Sequence, residues 1–323
     1  MARFVQVTCV AIAVALFASG VPVLAWNHHG HMLVAFVAYQ QLNAVPTVRM
    51  KVDALVRQNP LIHDWDQQVA SLPVDLRAAA LFAIAATWPD IIKSDPAHHD
   101  DGPNGGNRPP PGQSAFANLG YNDTARHKYW HFIDTPFATD QTALPSVPVP
   151  HAVERIAVLR KTLASPATGP AAQRLKSYDL MWLLHLVGDL HQPLHAITRV
   201  SQSQPRGDDG GNLVHLCALP CRDQLHGFWD GVLGDDDDPI GLLIDAMAVK
   251  VPTGSDATNL DPAKWAAESF MLAQSDVYRQ PIGRGAGPFT VNVSYVQNAQ
   301  RLATERVALA AARLANILKT DLQ

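Results

Sequence analysis

The sequence predicts an all-α fold, a single mainly helical domain with long loops. Three observations carry that expectation. Apolar residues recur at steps of three and four in several stretches, strand-like alternation is scarce, and no Pro- or Gly-rich stretch separates two plausible cores. Val153, Ile156, Leu159 and Leu163 share one helical stripe. So do Leu175, Tyr178, Trp182, His185 and Asp189. Ala303, Val307, Ala310, Leu314 and Ile317 mark a long C-terminal helix. The best short strand candidate is FTVNVSY (289–295), and NLVHLC (212–217) is weaker.

The first 25 residues have the layout of a secretory signal. Arg3 supplies the positive charge, an apolar run follows, and Val23-Leu24-Ala25 offers small residues at a cut. A membrane anchor is the competing reading, but Gly20-Val21-Pro22 breaks the end of the run. The expectation is cleavage after Ala25 and an exported product, periplasmic or secreted, comprising residues 26–323. No later stretch of about 18 apolar residues offers a membrane anchor after cleavage. Of three cysteines, Cys9 leaves with the signal. Cys217 and Cys221, four apart in an exported chain, are expected to form a short-loop disulfide. The alternative, a metal site, needs further ligands nearby. The net charge of −4 argues against a broad basic surface gripping nucleic acid through many phosphates. It does not exclude a substrate held by metal ions.

Three stretches read as loops: 94–113, rich in Pro, Gly and Asp; 135–150, with four prolines; and 201–212, ending in Gly-Gly-Asn. Residues that carry chemistry lie on both sides of each. The tetra-Asp run at 235–238 lacks the spaced ligands of a calcium loop. It precedes PIGLLIDAM, where acids suit a solvated helix start.

The most informative segment is LLHLVGDLHQPLHA (183–196). His185 and Asp189, four apart on a helix, project from one otherwise apolar face. A buried carboxylate is costly unless paired or bound to metal. Pro193 interrupts the helix and lets His195 turn back toward the same place. In DQLHGFWDGV (223–232) His226 and Asp230 repeat the four-residue spacing. Imidazole with carboxylate is the ligand mix of hydrolytic zinc sites. TWPDIIK (87–93) adds Asp90, and KYWHFIDTP (128–136) adds His131. Taken singly, Asp90 also suits a helix cap, and His131 a core imidazole bonded to backbone.

VLAWNHHGH (23–31) raises a separate question, because the expected cut abuts a tryptophan five residues before His31. Cleavage after Ala25 makes Trp26 the N-terminus. Its α-amino group and carbonyl oxygen can then chelate one metal in a five-membered ring. An α-amine with a pKa near 8 is readily deprotonated by a divalent cation. His31 lies close enough to add a ligand.

Taken together the pattern resembles the zinc-dependent single-strand-specific nucleases of the S-one/P-one type, relatives of the bacterial three-zinc phospholipases C. The motifs run in series: W-x-x-x-x-H at Trp26–His31, W-x-D, H-F-x-D, H-x-x-x-D-x-H-Q-P-x-H, and HGFWD at 226–230. The resemblance covers essentially all of 26–323. The family usually starts Trp-Gly where this chain has Trp26-Asn27, a change that a backbone chelate tolerates. The resemblance implies a trinuclear cluster of three Zn2+ ions. Asp90, His131, His185 and Asp189 would hold one ion; His195, His226 and Asp230 a second; the Trp26 amine and carbonyl, His31 and Asp189 a third. His28, His29, His98, His99 and His191 are not ligands in this reading.

The implied reaction is phosphodiester hydrolysis by a metal-activated hydroxide. Single-stranded DNA and RNA would be cut to 5′-phosphorylated products, and 3′-nucleotides would lose their phosphate. Asp189, as the bridging carboxylate, and Asp134 are the implied catalytic acids, though Asp134 also suits a turn before Pro136. Gly211 and Asn212 match a Gly-Asn of the family's base pocket and equally suit a plain turn. Phe116 and Tyr121 are candidates for the stacking aromatic. A monomer is expected. A phospholipase C with the same cage is the rival enzyme, disfavoured because those enzymes typically carry Glu where this chain has Asp230. A non-catalytic exported zinc-binding protein is the rival of another class. The open fourth position implied at His195, His226 and Asp230 argues against it.

Overall fold

The computed structural model describes residues 26–217, 223–235 and 239–323. The expected signal, Cys221 of the expected disulfide, and Asp236 to Asp238 of the acidic run lie outside these residues.

Two helices are buried on all sides, the mark of core rather than surface helices. His28–Gln41 is buried without interruption from His29 to Tyr39. Pro170–Asp189 is buried from Ser177 to its last residue. The 29-residue helix Val293–Asp321 and the helix Val74–Ala85 pack against the first, and Ala152–Leu163 pairs with the second. Pro170 suits the start of its helix, where no N–H partner is needed, and Gly169, at φ +95°, turns the chain into it. At the other end His191 Nδ1 donates to Val187 O at 2.7 Å. Arg306 Nε donates to His191 O at 3.2 Å, tying the C-terminal helix to this corner.

The all-α expectation holds, and the expected stripes lie on the helices Ala152–Leu163, Pro170–Asp189 and Val293–Asp321. The strand candidates do not hold. Residues 293–295 form the first turn of the C-terminal helix, whose cap Asn292 accepts from Tyr295 N at 2.9 Å. Segment 212–217 contributes only isolated bridges, His215 to Gln224 and Leu216 to Phe289. The two strands among the described residues are β1 (Pro136–Ala138) and β2 (Thr198–Val200), parallel, with Phe137 opposite Arg199. They sit just after His131 and His195, and the pairing continues back toward those residues through Ile133 N to His195 O at 2.8 Å.

The core divides into a large cluster around the buried helices and a smaller one around Leu194, Ile197, Leu225, Trp229 and Tyr295. Val232 packs against both. No helix among the described residues is long and apolar enough to cross a membrane.

Candidate metal centre

Trp26 is fully buried, and its indole Nε1 donates to Gly188 O at 3.1 Å. Asn27 caps the first helix by accepting from Gly30 N at 3.1 Å. Two glycines make this approach possible. A Cβ on Gly30 would lie 2.8 Å from Trp26 Cβ, and one on Gly188 would lie 2.9 Å from His31 Nδ1. The start of the described chain and His31 are thereby pressed onto the last turn of the Pro170–Asp189 helix.

That turn presents His185 and Asp189 inward. His185 Nε2 lies 3.3 Å from Asp189 Oδ2, 2.9 Å from His131 Nδ1 and 3.5 Å from Asp90 Oδ1. His131 Nδ1 is 3.0 Å from Asp189 Oδ2. The other oxygen of Asp189, Oδ1, faces His31 Nε2 at 3.3 Å. One carboxylate thus addresses two clusters of donors. The His31 ring stacks on that of His185 with centroids 3.7 Å apart.

The remaining predicted ligands gather beside them. His226 Nε2 lies 3.1 Å from His195 Nε2 and 3.5 Å from Asp230 Oδ2. Both rings spend their other nitrogen on backbone: His195 Nδ1 donates to His131 O at 2.9 Å, and His226 Nδ1 to Gly210 O at 2.7 Å. With the protons fixed there, both Nε2 atoms present bare lone pairs to each other. Burial pushes the His226 pKa down to about 4 and that of His195 well below its ordinary value, so a bridging proton is disfavoured. A shared cation reconciles the two. Backbone carbonyls that fix the far nitrogen of a ligating imidazole are a common support of metal sites.

The carboxylates carry the same message. Asp189 Oδ1, Asp230 Oδ2 and Asp90 Oδ2 are buried without a hydrogen bond, as are both nitrogens of His31. Burial, with Asp90 nearby, pushes the Asp189 carboxyl well above its ordinary range, and burial does the same to Asp230. Unsatisfied buried polar atoms are expensive. Three buried groups, His31–His185–Asp189, Asp90–His131–His185 and His195–His226–Asp230, each bring ligand atoms within 4.8 Å of one another. The donor set of imidazole nitrogen and carboxylate oxygen fits zinc.

A family model described as S1/P1 Nuclease matches residues 26–323. The chain belongs to the S1/P1 nuclease family. It is therefore a nuclease, a hydrolase of phosphoester bonds. It is 26% identical over 231 residues to "Endonuclease 1" of Arabidopsis thaliana, covering 61% of this chain and 71% of the relative.

Two supports in this nuclease were not legible as functional in the sequence. Gln192 Nε2 donates to Asp230 Oδ1 at 2.6 Å and leaves Oδ2 facing the histidines. Its place between His191 and Pro193 in the longest motif was the available signal. Lys93 Nζ pairs with Asp90 Oδ1 at 2.7 Å in a buried setting. Against burial, Lys93 and His131 hold Asp90 below its ordinary value. The step of three from Asp90 on one short helix was its only trace.

Asp134, the second predicted catalytic acid, is half-buried and lines a narrow cleft with Phe132, Tyr129, His151 and Asn107. Burial, with Asp209 adding, pushes it up to about 7. Gly211, at φ +87°, and Asn212 follow Gly210, whose carbonyl holds His226. The stacking candidates fare differently. Tyr121 is engaged in the core, edge-on to Trp88 and Tyr178, with its hydroxyl on Ser177 and Asn59. Phe116 is exposed, and its carbonyl accepts from Arg155. Phe132, adjacent to His131, is the ring that lines the Asp134 cleft.

Proposed function

We propose that this nuclease is exported, carries three Zn2+ ions, cuts single-stranded DNA and RNA to 5′-phosphorylated products, and removes the phosphate of 3′-nucleotides. The opposed lone pairs of His195 and His226, beside a carboxylate oriented by Gln192, carry the reading. Asp90, His131, His185 and Asp189 would hold one ion; His195, His226 and Asp230 another; His31, Asp189 and the Trp26 backbone the third. Bound there, zinc would supply Lewis-acid polarisation of phosphoryl oxygens and lower the pKa of water.

The chain's own residues do the rest. Asp189 divides its two oxygens between neighbouring sites. Asp134 orients the attacking water at the edge of the cleft. The new bond joins water oxygen to phosphorus, and the bond from phosphorus to the 3′-oxygen breaks, leaving a 5′-phosphate and a 3′-hydroxyl. Lys93 adds fixed positive charge beside the ligands. Phe132 offers a ring face to a base, and Asn212 offers an amide to a base edge. Cys217 and Cys221 would close a short loop ahead of the His226 helix.

The test is release of acid-soluble nucleotides from heat-denatured DNA by protein beginning at Trp26, alongside the same protein with one extra N-terminal residue. Activity in the first and severe loss in the second are expected. Equal activity in both removes the Trp26 chelate. Cleavage of phosphatidylcholine with none of DNA would overturn the substrate assignment.

A further inference from the structure

His191 stands in the longest motif, between Asp189 and Gln192, yet it belongs to none of the three donor groups. The fold gives it another occupation. Its Nδ1 donates to Val187 O at 2.7 Å, so the bare Nε2 accepts from Arg313 Nη1 at 2.9 Å. Both ring nitrogens are spent, and the residue is fully buried.

Residues 189–192 turn the chain from one set of donors to the next, and all of them are buried. A helix that ends in the interior must find partners for its last carbonyls. Here Leu186 O accepts from Leu190 N, Gly188 O from His191 N, and Asp189 O from Gln192 N. The next two carbonyls are taken by side chains from other helices. Ser269 Oγ donates to Leu190 O at 2.7 Å, and Arg306 Nε to His191 O at 3.2 Å.

These supports form one unit. Arg306 and Arg313 lie two turns apart on one face of the C-terminal helix. Glu268, of the helix Pro262–Leu272, joins them. Arg313 grips it with both ends of its fork, Nη1 to Oε2 and Nη2 to Oε1, each at 2.7 Å. Arg306 Nη1 donates to the same Oε2 at 3.1 Å, and Arg306 Nη2 to Ser269 Oγ at 3.2 Å. Arg313 Nε donates to Asp256 O at 2.9 Å. Neither arginine is more than 5% exposed. The Trp265 ring packs beside them, 5.2 Å from the His191 ring and 5.5 Å from the Arg313 guanidinium.

Stability alone does not account for this unit. A buried ion triad gains little over well-packed apolar side chains of similar volume, because desolvation offsets the attraction. What the network does supply is direction. Apart from the bond to Asp256, every hydrogen bond it makes outside itself ends on Leu190 or His191. That corner decides how the donor groups sit. Asp189 precedes it, while Gln192, which holds Asp230, and His195 follow it. Asp189 Oδ1 and His195 Nδ1 are only 3.7 Å apart, so a small shift of the corner changes the spacing between groups.

We propose that Arg306, Glu268 and Arg313 are positioning residues for the metal centre. Through Leu190 and His191 they fix the corner between Asp189 and Gln192, and with it the spacing of the donor groups. This role rests on the zinc reading and adds to it residues that lie outside every donor group.

The experiment replaces zinc by Co2+, whose visible absorption reports ligand geometry, and reads the spectrum and cobalt affinity of each variant. In the triple variant Arg306→Leu, Glu268→Leu, Arg313→Met the charges leave together. The melting temperature of its metal-free form should therefore stay near that of the wild type. Its cobalt bands should shift, and its affinity for the most weakly held ion should fall about tenfold, as when supports behind metal ligands are lost. Arg313→Lys keeps the charge but not the planar fork, and should shift the bands in the same direction. Val52→Ala, a core truncation on the helix Pro46–Val56, should lower the melting temperature and leave the bands in place. Wild-type bands and affinity in both network variants would overturn the positioning role. So would an equal shift in Val52→Ala, or failure of both network variants to fold, since the network would then serve stability. The wild type separates the two readings. If it binds neither cobalt nor zinc, the zinc reading fails and the positioning role with it. If it binds metal and the network variants match it, the positioning role alone fails.

Discussion

Gln192 illustrates how a neutral side chain orients the candidate metal-binding groups next to it. Its amide nitrogen holds Asp230 Oδ1, and its amide oxygen accepts from Leu194 N, one residue ahead of His195. One residue therefore positions Asp230 directly and the backbone just ahead of His195. Gln192→Leu should lower metal affinity at the His195–His226–Asp230 group by about 10- to 100-fold, in keeping with the loss of a supporting hydrogen bond. Zinc content after dialysis against graded chelator checks it, and circular dichroism should stay near that of the wild type. Gly188→Ala makes a steric counterpart. The added Cβ would crowd His31 Nδ1 at 2.9 Å in a packed interior, where overpacking costs about 1–3 kcal/mol. A lowered melting temperature together with loss of one zinc per chain is expected; loss of stability with full zinc content would show that His31 is not a ligand. At this scale the sequence was most legible where chemistry repeats. A four-residue His–Asp spacing occurs twice, the first time on an apolar face, and the structure buries both pairs. Gln192 and Lys93 were not legible, because neither residue type signals a metal site without knowledge of what it faces.

The same contrast holds for whole elements. Helices with a long apolar period were readable because a buried stripe must repeat every turn. β1 and β2 were not, since three residues are too few for alternation, and Pro136 sits at the very start of its strand. FTVNVSY failed for the opposite reason: it alternates, yet Asn292 caps a helix inside it, and a local cap overrides a short alternating run. The 94–113 loop has its own device, invisible in composition. His127 stacks on Trp130 with centroids 3.6 Å apart and pairs with Asp101 at 2.7 Å and Asp123 at 3.0 Å. Against burial, these two carboxylates raise the His127 pKa, while His127 lowers theirs despite their own burial. The signs define a window. The charged imidazole contributes its full share below its unfolded pKa of about 6.5 and loses it as pH rises through the higher folded value. The carboxylates contribute above about 3.9 and lose their share as pH falls through their lowered folded values. Protection of residues 94–113 from hydrogen exchange should therefore be greatest between about pH 4 and 6.5 and decline above it. In His127→Gln the decline on the alkaline side should vanish, with about 1–2 kcal/mol of local stability lost at pH 5. A decline that persists in the variant would assign it to another group.

For the molecule as a whole, the gathered donors tie together segments that are far apart in the chain. His31 comes from the first described helix, Asp90 and His131 from two separate segments, and His185 with Asp189 from the buried central helix. His226 and Asp230 come from a short helix resting on the smaller core. The one-domain expectation rested on the same feature, because each of the three loop-like stretches has candidate ligands on both sides. What the sequence could not convey is the cost of assembling them: orphaned oxygens and nitrogens held together without solvent. Ions that bind the folded state alone offset that cost, by about 4 kcal/mol for each site held at a thousandfold excess over its dissociation constant. In a domain of this size, about 2–4 °C accompanies each kcal/mol. Removing zinc with a chelator should thus lower the melting temperature by on the order of 10 °C or more. Restoring zinc should recover it, whereas magnesium, which favours oxygen ligands, should not. The fall should be smaller in His226→Ala, which lacks a donor at one site before any chelator is added. A melting temperature indifferent to chelator would mean that these clustered groups are satisfied some other way, and that metal has no part in holding the two cores together.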